Sequence, residues 1–243
     1  MNRLRGLTPL LAALVLPACD LELGPGDTVT GRGPIIEENR SVSPFAVVTN
    51  STMADVEILQ GPTERLWIRA QENLLPYFET RVENNILRIY TRPGVIVEPT
   101  EPVVIELELR DLARIESSGS GFITAPVIDA GRLELVTSGS GGIDLPALFA
   151  DTLVVIGSGS GDITGTGSVL RQRLVMSGSH VVDTRELEAN EADVTLSGSG
   201  PATIRVRDRL RAVLSASGSL GYYGSPQVEK IITGTGRVDR LGS

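Results

Sequence analysis

Serine is the residue with catalytic potential that this chain repeats most often. Ser-Gly-Ser runs begin at Ser118, Ser138, Ser158, Ser177, Ser197 and Ser217. A nucleophilic serine needs a base and, on a hydrolase elbow, the pattern Gly-x-Ser-x-Gly between a strand and a helix. No repeat serine has that spacing, and His180 is the single histidine in the sequence. His180 stands where the repeat otherwise has glycine, so we predict a surface or locally packed histidine and no catalytic residue.

Aspartates are the second group that could do chemistry. Glycan cleavage requires carboxylates that meet in one groove, whereas the candidates Asp129, Asp144 and Asp162 fall at different positions of the repeat. A row of calcium ions along the repeat needs carboxylates at the same position in successive coils. Asp144 and Asp183 occupy one such position, but the copy between them has Thr164 there. The glycine-rich runs also lack the lysine and the following helix of a phosphate loop. We therefore expect no metal, no cofactor and no enzyme activity.

The composition excludes some partners and disfavours others. The chain has 243 residues, a net charge of -8 and a pI near 4.8, so phosphate backbones would be repelled and nucleic-acid binding is not expected. Aromatic residues make up 4%. Stacking platforms for sugars are therefore scarce, with Trp67, Tyr222 and Tyr223 as the main options.

The first nineteen residues resemble a bacterial lipoprotein signal. Arg3 and Arg5 precede an apolar stretch from Leu7 to Leu16, and the run "LPAC" ends at Cys19, the only cysteine. A plain secretory signal with a chance cysteine is the alternative. The resemblance implies cleavage after residue 18 and a lipid on Cys19 that holds the chain on a membrane of the cell envelope. Asp20 resembles an inner-membrane retention signal, a rule that varies among bacteria.

The remaining chain divides into a tether and one domain. Residues 19–40 are rich in glycine, proline and charge, which is typical of a flexible tether. In residues 41–112 apolar and polar residues alternate, as in "VVIELELR", and glycine or proline separates the pieces. We expect this stretch to be the strand-rich start of a domain that spans residues 41–243.

Residues 113–243 form a repeat, because each Ser-Gly-Ser run starts 19 or 20 residues after the previous one. The predicted structural positions are the serines named above and the glycines that follow them: Gly119, Gly139, Gly159, Gly178, Gly198 and Gly218. "TGTG" at residues 233–236 is a shortened last copy. A linker would drift in length and phase, so this regularity indicates stacked coils.

Two aligned positions identify the buried side of each coil. Three residues before the first serine stand Ile115, Leu135, Val155, Leu174, Val194 and Leu214; five residues after it stand Ile123, Ile143, Ile163, Val182, Ala202 and Tyr222. Both offsets are odd, so they share one face of a strand with the glycines, and the serines point outward. One coil cannot bury its own apolar edge, but stacked coils can. The sequence predicts an all-β, right-handed parallel β-helix-like solenoid, with the Ser-Gly runs in a strand or corner.

The runs "ESSGSGFI", "TSGSGGID", "IGSGSGDI" and "LSGSGPAT", with the lipoprotein-like start, resemble the bacterial family called putative auto-transporter adhesin, head GIN domain. The resemblance implies a β-solenoid and leaves the biochemical function open. His180 and Leu220 replace the second glycine in their copies, so we expect local irregularities there.

These observations predict a non-enzymatic, lipid-anchored envelope protein that acts as a structural or adhesin-like interaction module. Its partner would be an envelope protein or a glycan, bound through a flat face of serine, threonine and β-branched residues. The alternative is a polysaccharide-binding or polysaccharide-cleaving β-helix. The sequence leaves the oligomeric state open.

Overall fold

A computed structural model gives the fold of residues 26–243. Within this range the chain forms strands and one 3-10 helix, at Leu75–Tyr77, and no α-helix. The strands are β1 Asp27–Thr30, β2 Ile35–Arg40, β3 Val47–Asn50, β4 Asp55–Gln60, β5 Arg65–Gln71, β6 Phe78–Glu83, β7 Ile86–Thr91, β8 Val95–Glu98, β9 Val104–Leu109, β10 Arg114–Ser117, β11 Ile123–Thr124, β12 Ile128–Thr137, β13 Ile143–Gly157, β14 Ile163–Met176, β15 Val182–Leu196, β16 Ala202–Leu214, β17 Leu220–Tyr223, β18 Gln227–Ile232 and β19 Val238–Gly242. The predicted signal peptide and Cys19 lie outside the described residues.

Strands β12 to β16 stack in parallel and form the regular part of a solenoid. Leu135 pairs with Val155, and the same inward column continues through Leu174, Val194 and Ala212. Residues alternate between buried and exposed along each strand because one face turns toward the neighbouring coils. Each buried leucine, isoleucine or valine stabilises the stack by roughly 1.5 to 3 kcal/mol before conformational entropy is subtracted. This architecture confirms the predicted all-β solenoid with coils of roughly twenty residues.

Each coil presents three strand segments around one core. In one coil, face A comprises residues 133–137, before the Ser-Gly corner, face B residues 143–145, after it, and face C residues 148–150. Register shifts between Leu145 and Leu148 mark the bend from face B to face C. Buried residues from all three faces belong to one hydrophobic cluster.

The Ser-Gly runs form the corner between faces A and B. The amide of Ser160 donates to the Gly139 carbonyl of the coil beneath at 3.1 Å. A Cβ atom at Gly159 would lie 1.9 Å from that same oxygen, and at Gly139 it would lie 2.0 Å from the Gly119 oxygen. Glycine is required here by the close approach of backbones, since positive φ values occur at other glycines such as Gly167. The serine hydroxyls point outward, as predicted.

The N-terminal strands follow a spatial order that differs from their sequence order. Strand β3 lies between β7 and β10 and pairs with both in parallel, and β4 lies between β9 and β11. The outer edges of β7 and β9 are covered by the antiparallel strands β6 and β5, and β2 pairs with β5. This end of the solenoid is therefore closed by antiparallel pairing.

In the last regular coil the sequence alignment was wrong by two residues: it placed Ser217 above Ser197, whereas the strand register places Ser215 there. Leu214 pairs with Leu196, so Ser215 lies above Ser197, and Gly218 lies above Gly200 rather than Gly198. Leu220 pairs with Ala202 as a core residue and does not occupy the glycine position. Tyr222 likewise pairs with Ile204.

The shift arises at the bend before this corner, where the β15–β16 register changes between Thr184 and Glu188 and again between Ala189 and Glu191. At the corner itself, Ala216 brings a Cβ atom to a position that is glycine in the other coils. In other coils the second serine of the run donates its amide to the first glycine of the coil beneath, as Ser160 does to Gly139. Here the Gly218 amide donates to the Gly198 carbonyl instead, at 3.0 Å. The sequence count treated Ser217 as the start of the run, whereas the run in space begins at Ser215. "TGTG" does continue the corner, since the Thr233 amide donates to Leu214 O and the Gly236 amide to Ala216 O.

Candidate functional site

His180 lies inside the solenoid and not beside the repeat serines. Its side chain is 2% exposed, and its Nε2 atom forms a 2.6 Å hydrogen bond with the Thr137 hydroxyl two coils away. The Nδ1 atom is buried without a partner. Burial holds the pKa of His180 below its ordinary value of 6.5, and the Asp162 carboxylate partly opposes this shift. His180 is therefore a locally packed core residue, and its ring is bonded to a threonine rather than to a repeat serine.

The carboxylates considered for glycan cleavage occupy different parts of the surface. Asp144 lies on face B and accepts a hydrogen bond from Thr164, and Asp162 lies in a Ser-Gly corner. Asp129 lies at the start of face C, in the same groove as Asp151 and Glu188. The structure thus separates the three predicted candidates. It brings Asp129 together with two carboxylates that the sequence reasoning missed.

This groove is the main concave feature that we describe, with a volume of about 610 Å³. It runs across five coils, from β12 to β16, a length of about 19 Å at the usual strand spacing. Its floor consists of small or aliphatic residues, namely Ala130, Gly131, Ala150 and Val169. The large side chains Phe149 and Leu170 project into it and are 48% and 50% exposed. A groove with exposed apolar groups and several polar groups is typical of a binding site.

Register explains how these residues come together. Asp129 pairs with Phe149, Phe149 with Ser168, and Ser168 with Glu188, which forms one outward column on face C. Asp151 and Leu170 belong to the next outward column, two residues further along. In the sequence, Asp129, Phe149 and Glu188 each lie eleven residues after the first serine of their coil. Extending the alignment of inward positions to this outward offset would have found the column.

The charge in the groove is predominantly negative. Asp129, Asp151 and Glu188 contribute three carboxylates, against the single guanidinium of Arg207. Arg207 is itself hydrogen-bonded to Asp208 at 3.1 and 3.2 Å, and this contact raises the pKa of the guanidinium. The side chains of Asp129 and Asp151 make no hydrogen bond or ion pair with any residue between 26 and 243. Two carboxylates thus remain available to a ligand.

The predicted aromatic platforms lie away from this groove. Trp67 is half-buried on β5, with the Arg65 guanidinium 5.7 Å from its ring centre. Tyr223 is covered in the same way by Arg205 at 5.2 Å, and Tyr222 is half-buried. Phe149 is the aromatic residue that the groove presents.

The structure gives no support to a metal ladder. Asp144 pairs with Thr164 and Thr164 with Asp183, so a threonine separates these carboxylates. Between residues 26 and 243 no group of three or more histidine, cysteine, aspartate or glutamate side chains is arranged to hold a metal ion. In the same range no helix is long and apolar enough to cross a membrane.

The predicted repeat residues form the corner between faces A and B. The first serine and the first glycine of each run, from Ser118 to Gly198, stack from coil to coil. One hydroxyl pair, Ser179 and Ser199, is within hydrogen-bond distance at 3.0 Å. The Ser177 hydroxyl donates to the Gly157 carbonyl at 3.3 Å. These contacts assign the runs a structural role.

Three solved structures of other proteins have the same fold. A putative adhesin from Bacteroides fragilis NCTC 9343 superposes with a TM-score of 0.84 at 21% identity, over 88% of this chain and 100% of that one. A putative adhesin from Parabacteroides merdae ATCC 43184 gives 0.72 at 21% identity, over 88% and 99%. A putative lipid binding protein from Parabacteroides distasonis ATCC 8503 gives 0.76 at 24% identity, over 88% and 100%. At these identities the likeness establishes the fold.

A match to a family pattern establishes the family. No curated protein matches the chain. The pattern described as "Putative auto-transporter adhesin, head GIN domain" matches residues 44–226, which is more than half of the sequence and includes the corner runs. The chain belongs to the head GIN domain family of adhesin-like proteins.

Proposed function

We propose that this protein is a non-enzymatic interaction module of the bacterial cell envelope, held on a membrane by a lipid on Cys19. The supporting observation is the outward surface of the solenoid. Stacking fixes the inward columns, whereas an open groove of about 610 Å³ crosses five coils with exposed Phe149 and Leu170. Such a rigid, extended surface suits binding of another molecule. Membership of an adhesin-like family supports the same role.

The contacts around the groove favour binding over catalysis. Acid–base catalysis needs a group placed against a reacting atom in a site that excludes water. Asp129, Asp151 and Glu188 are all exposed, and the groove is open. His180, the other candidate acid or base, is enclosed in the core.

The anchoring part of the proposal is tested by replacing Cys19 with serine. A cysteine thiol is required to carry the lipid, so the variant should lose labelling by a fatty-acid analogue and move from the membrane to the soluble envelope fraction. The matched control is Thr28→Ser, which leaves Cys19 intact and should stay in the membrane. Unchanged membrane fractionation of Cys19→Ser would contradict anchoring through this residue.

The interaction part is tested by photo-crosslinking in the native cell. A crosslinking amino acid at position 170, in the groove, should capture one discrete partner more strongly than the same amino acid at position 232, on β18. Equal, diffuse labelling from both positions would contradict a groove-based interaction.

A second candidate is a polysaccharide-binding or polysaccharide-cleaving β-helix. The favouring observation is that Asp129, Asp151 and Glu188 line one groove. Incubation with a panel of polysaccharides tests this candidate. Release of reducing ends or unsaturated products that disappears in Asp151→Asn would establish cleavage and overturn the non-enzymatic proposal.

A further inference from the structure

The groove has an apolar floor that no other part of the described chain covers. Phe149 and Leu170 lie in neighbouring coils, on the two outward columns that flank the column of Ala130, Ala150 and Val169. Each exposes about half of its side chain. Large apolar groups that are clustered and exposed in a concavity favour an apolar ligand segment.

The free charge beside this floor is negative. The carboxylates of Asp129 and Asp151 have no partner within residues 26–243. Glu188 lies 3.9 Å from Arg207, which is more closely engaged by Asp208. A ligand that enters the groove therefore meets two carboxylates that are not neutralised.

The arginines next to the groove do not cancel this charge, because carboxylates already engage them. Arg132 lies 3.8 Å from Glu134, and Arg171 and Arg209 share Glu191 at 3.7 and 3.2 Å. Neither Arg132 nor Arg171 lines the groove. Among the charged groups that do line it, Asp129 and Asp151 are the ones that no arginine within residues 26–243 contacts.

Hydrogen-bond chemistry restricts the class of ligand. An ionised carboxylate only accepts hydrogen bonds, whereas ammonium and guanidinium groups only donate them. A sugar hydroxyl both donates and accepts, and the groove offers few donors besides Ser168, Asn190 and the engaged Arg207. Cationic groups that alternate with large apolar groups match both the rim and the floor.

The geometry points to an extended cationic peptide segment of a partner protein, with lysine or arginine alternating with large apolar residues, as the ligand of this groove. Its length of about 19 Å accommodates about five residues of extended chain. This inference rests on the proposed interaction function and names the chemistry of the partner.

The test uses the purified full chain and three families of fluorescent peptides. The first family alternates leucine and lysine and includes peptides that start with either residue. In the second family glutamine replaces lysine, and in the third glutamate replaces it. Fluorescence anisotropy should show binding of the lysine peptides alone, and this binding should weaken as salt is raised. Chito-oligosaccharides serve as neutral competitors and should not displace the peptide.

Two pairs of variants locate the site. Asp129→Asn with Asp151→Asn should weaken binding about 3- to 30-fold, the range expected for two exposed charge pairs. The control pair, Asp162→Asn with Asp239→Asn, removes the same charge from exposed positions outside the groove and should change binding by less than about twofold. Phe149→Ala should also weaken binding, whereas Phe122→Ala, which removes another exposed phenylalanine, should not.

Several results would overturn the inference: no binding of any lysine peptide, equal binding of the glutamine or glutamate peptides, equal loss in both aspartate pairs, or displacement by the neutral oligosaccharide. Failure here is separable from failure of the proposed function. A discrete crosslink from position 170 in the cell, without peptide binding, would reject the cationic peptide and retain the interaction module.

Discussion

Replacing Gly159 with alanine inserts a methyl group into the closest backbone contact of the corner stack. The new Cβ would lie 1.9 Å from the Gly139 carbonyl oxygen, whereas ordinary contact begins at 3.4 Å. The obstructing atom belongs to the backbone, so no side chain can rotate away. The two coils must separate locally by about 1.5 Å to accommodate the methyl group.

The cost follows from the bonds that this separation breaks. The Ser160 amide donates to Gly139 O at 3.1 Å, and the Ser158 amide donates to Thr137 O at 2.9 Å. Losing both bonds costs about 0.5 to 1.5 kcal/mol each, and the overpacking adds about 1 to 3 kcal/mol. Alanine restricts the unfolded chain and returns about 0.4 to 1 kcal/mol. We expect the free energy of unfolding to fall by about 1 to 5.5 kcal/mol, which lowers Tm by about 2 to 20 °C.

Thermal unfolding followed by far-UV circular dichroism measures this effect, and Gly131→Ala is the matched control. No heavy atom lies within 4 Å of a Cβ at Gly131, and its φ is not positive. The control should therefore be as stable as the wild type or slightly more stable. Equal Tm values for Gly159→Ala, Gly131→Ala and the wild type would refute the argument that close approach selects glycine at the corner.

Two further predictions concern the core and the free edge. The pKa of His180 is lowered on folding, so the unfolded chain binds the proton more readily, and the free energy of unfolding should fall as pH decreases through 6.5. Urea unfolding measured between about pH 5.5 and 7.5 should show that His180→Gln loses most of this dependence of the unfolding free energy on pH. A slope that persists in the variant would assign it to other groups. Lys230 is the only lysine in the chain and pairs with Ala212 in the inward column of β18, an exposed strand that pairs with β16 on one side. Because a charge on an open edge opposes strand pairing between molecules, Lys230→Val should increase concentration-dependent association in sedimentation velocity, and Lys230→Arg should not.

The stacked part of the fold could be predicted because inward residues must repeat. Ile123, Ile143 and Ile163 occupy one column since a coil buries its apolar edge only against an equivalent edge. The rule fails where a coil changes length. The coil that contains β16 is two residues shorter, because its register against β15 changes between Thr184 and Glu191. Counting from serine to serine cannot detect this change.

The N-terminal pairing could not be predicted from the same evidence. Alternating residues identify β3, β7 and β10 as strands, but alternation does not say which strands are neighbours. The insertion of β3 between β7 and β10 is fixed by pairings between residues far apart in the sequence.

The groove escaped prediction for a different physical reason. Stacking places no demand on outward side chains, so Asp129, Phe149 and Glu188 differ in type although they share a column. Gly167 has a φ of +124° and lies in a coil that has one residue fewer between its Ser-Gly corner and face C. Ser168 therefore lies ten residues after the first serine of its coil instead of eleven, and Leu170 is displaced in the same way. Residue type therefore did not mark the site, and the common spacing identifies only three of the four residues in this column.

The same separation between inward and outward residues limits what the related structures can say about function. A chain can keep this fold at 21% identity, as the Bacteroides fragilis protein does, because the stack constrains the inward columns and the corner glycines. The outward columns are free of that constraint, and they supply every charged group of the groove. A shared solenoid consequently carries no information about the ligand. In the proposed binding groove, specificity would be set by the outward residues Asp129, Phe149, Asp151 and Leu170, and it has to be measured on this chain.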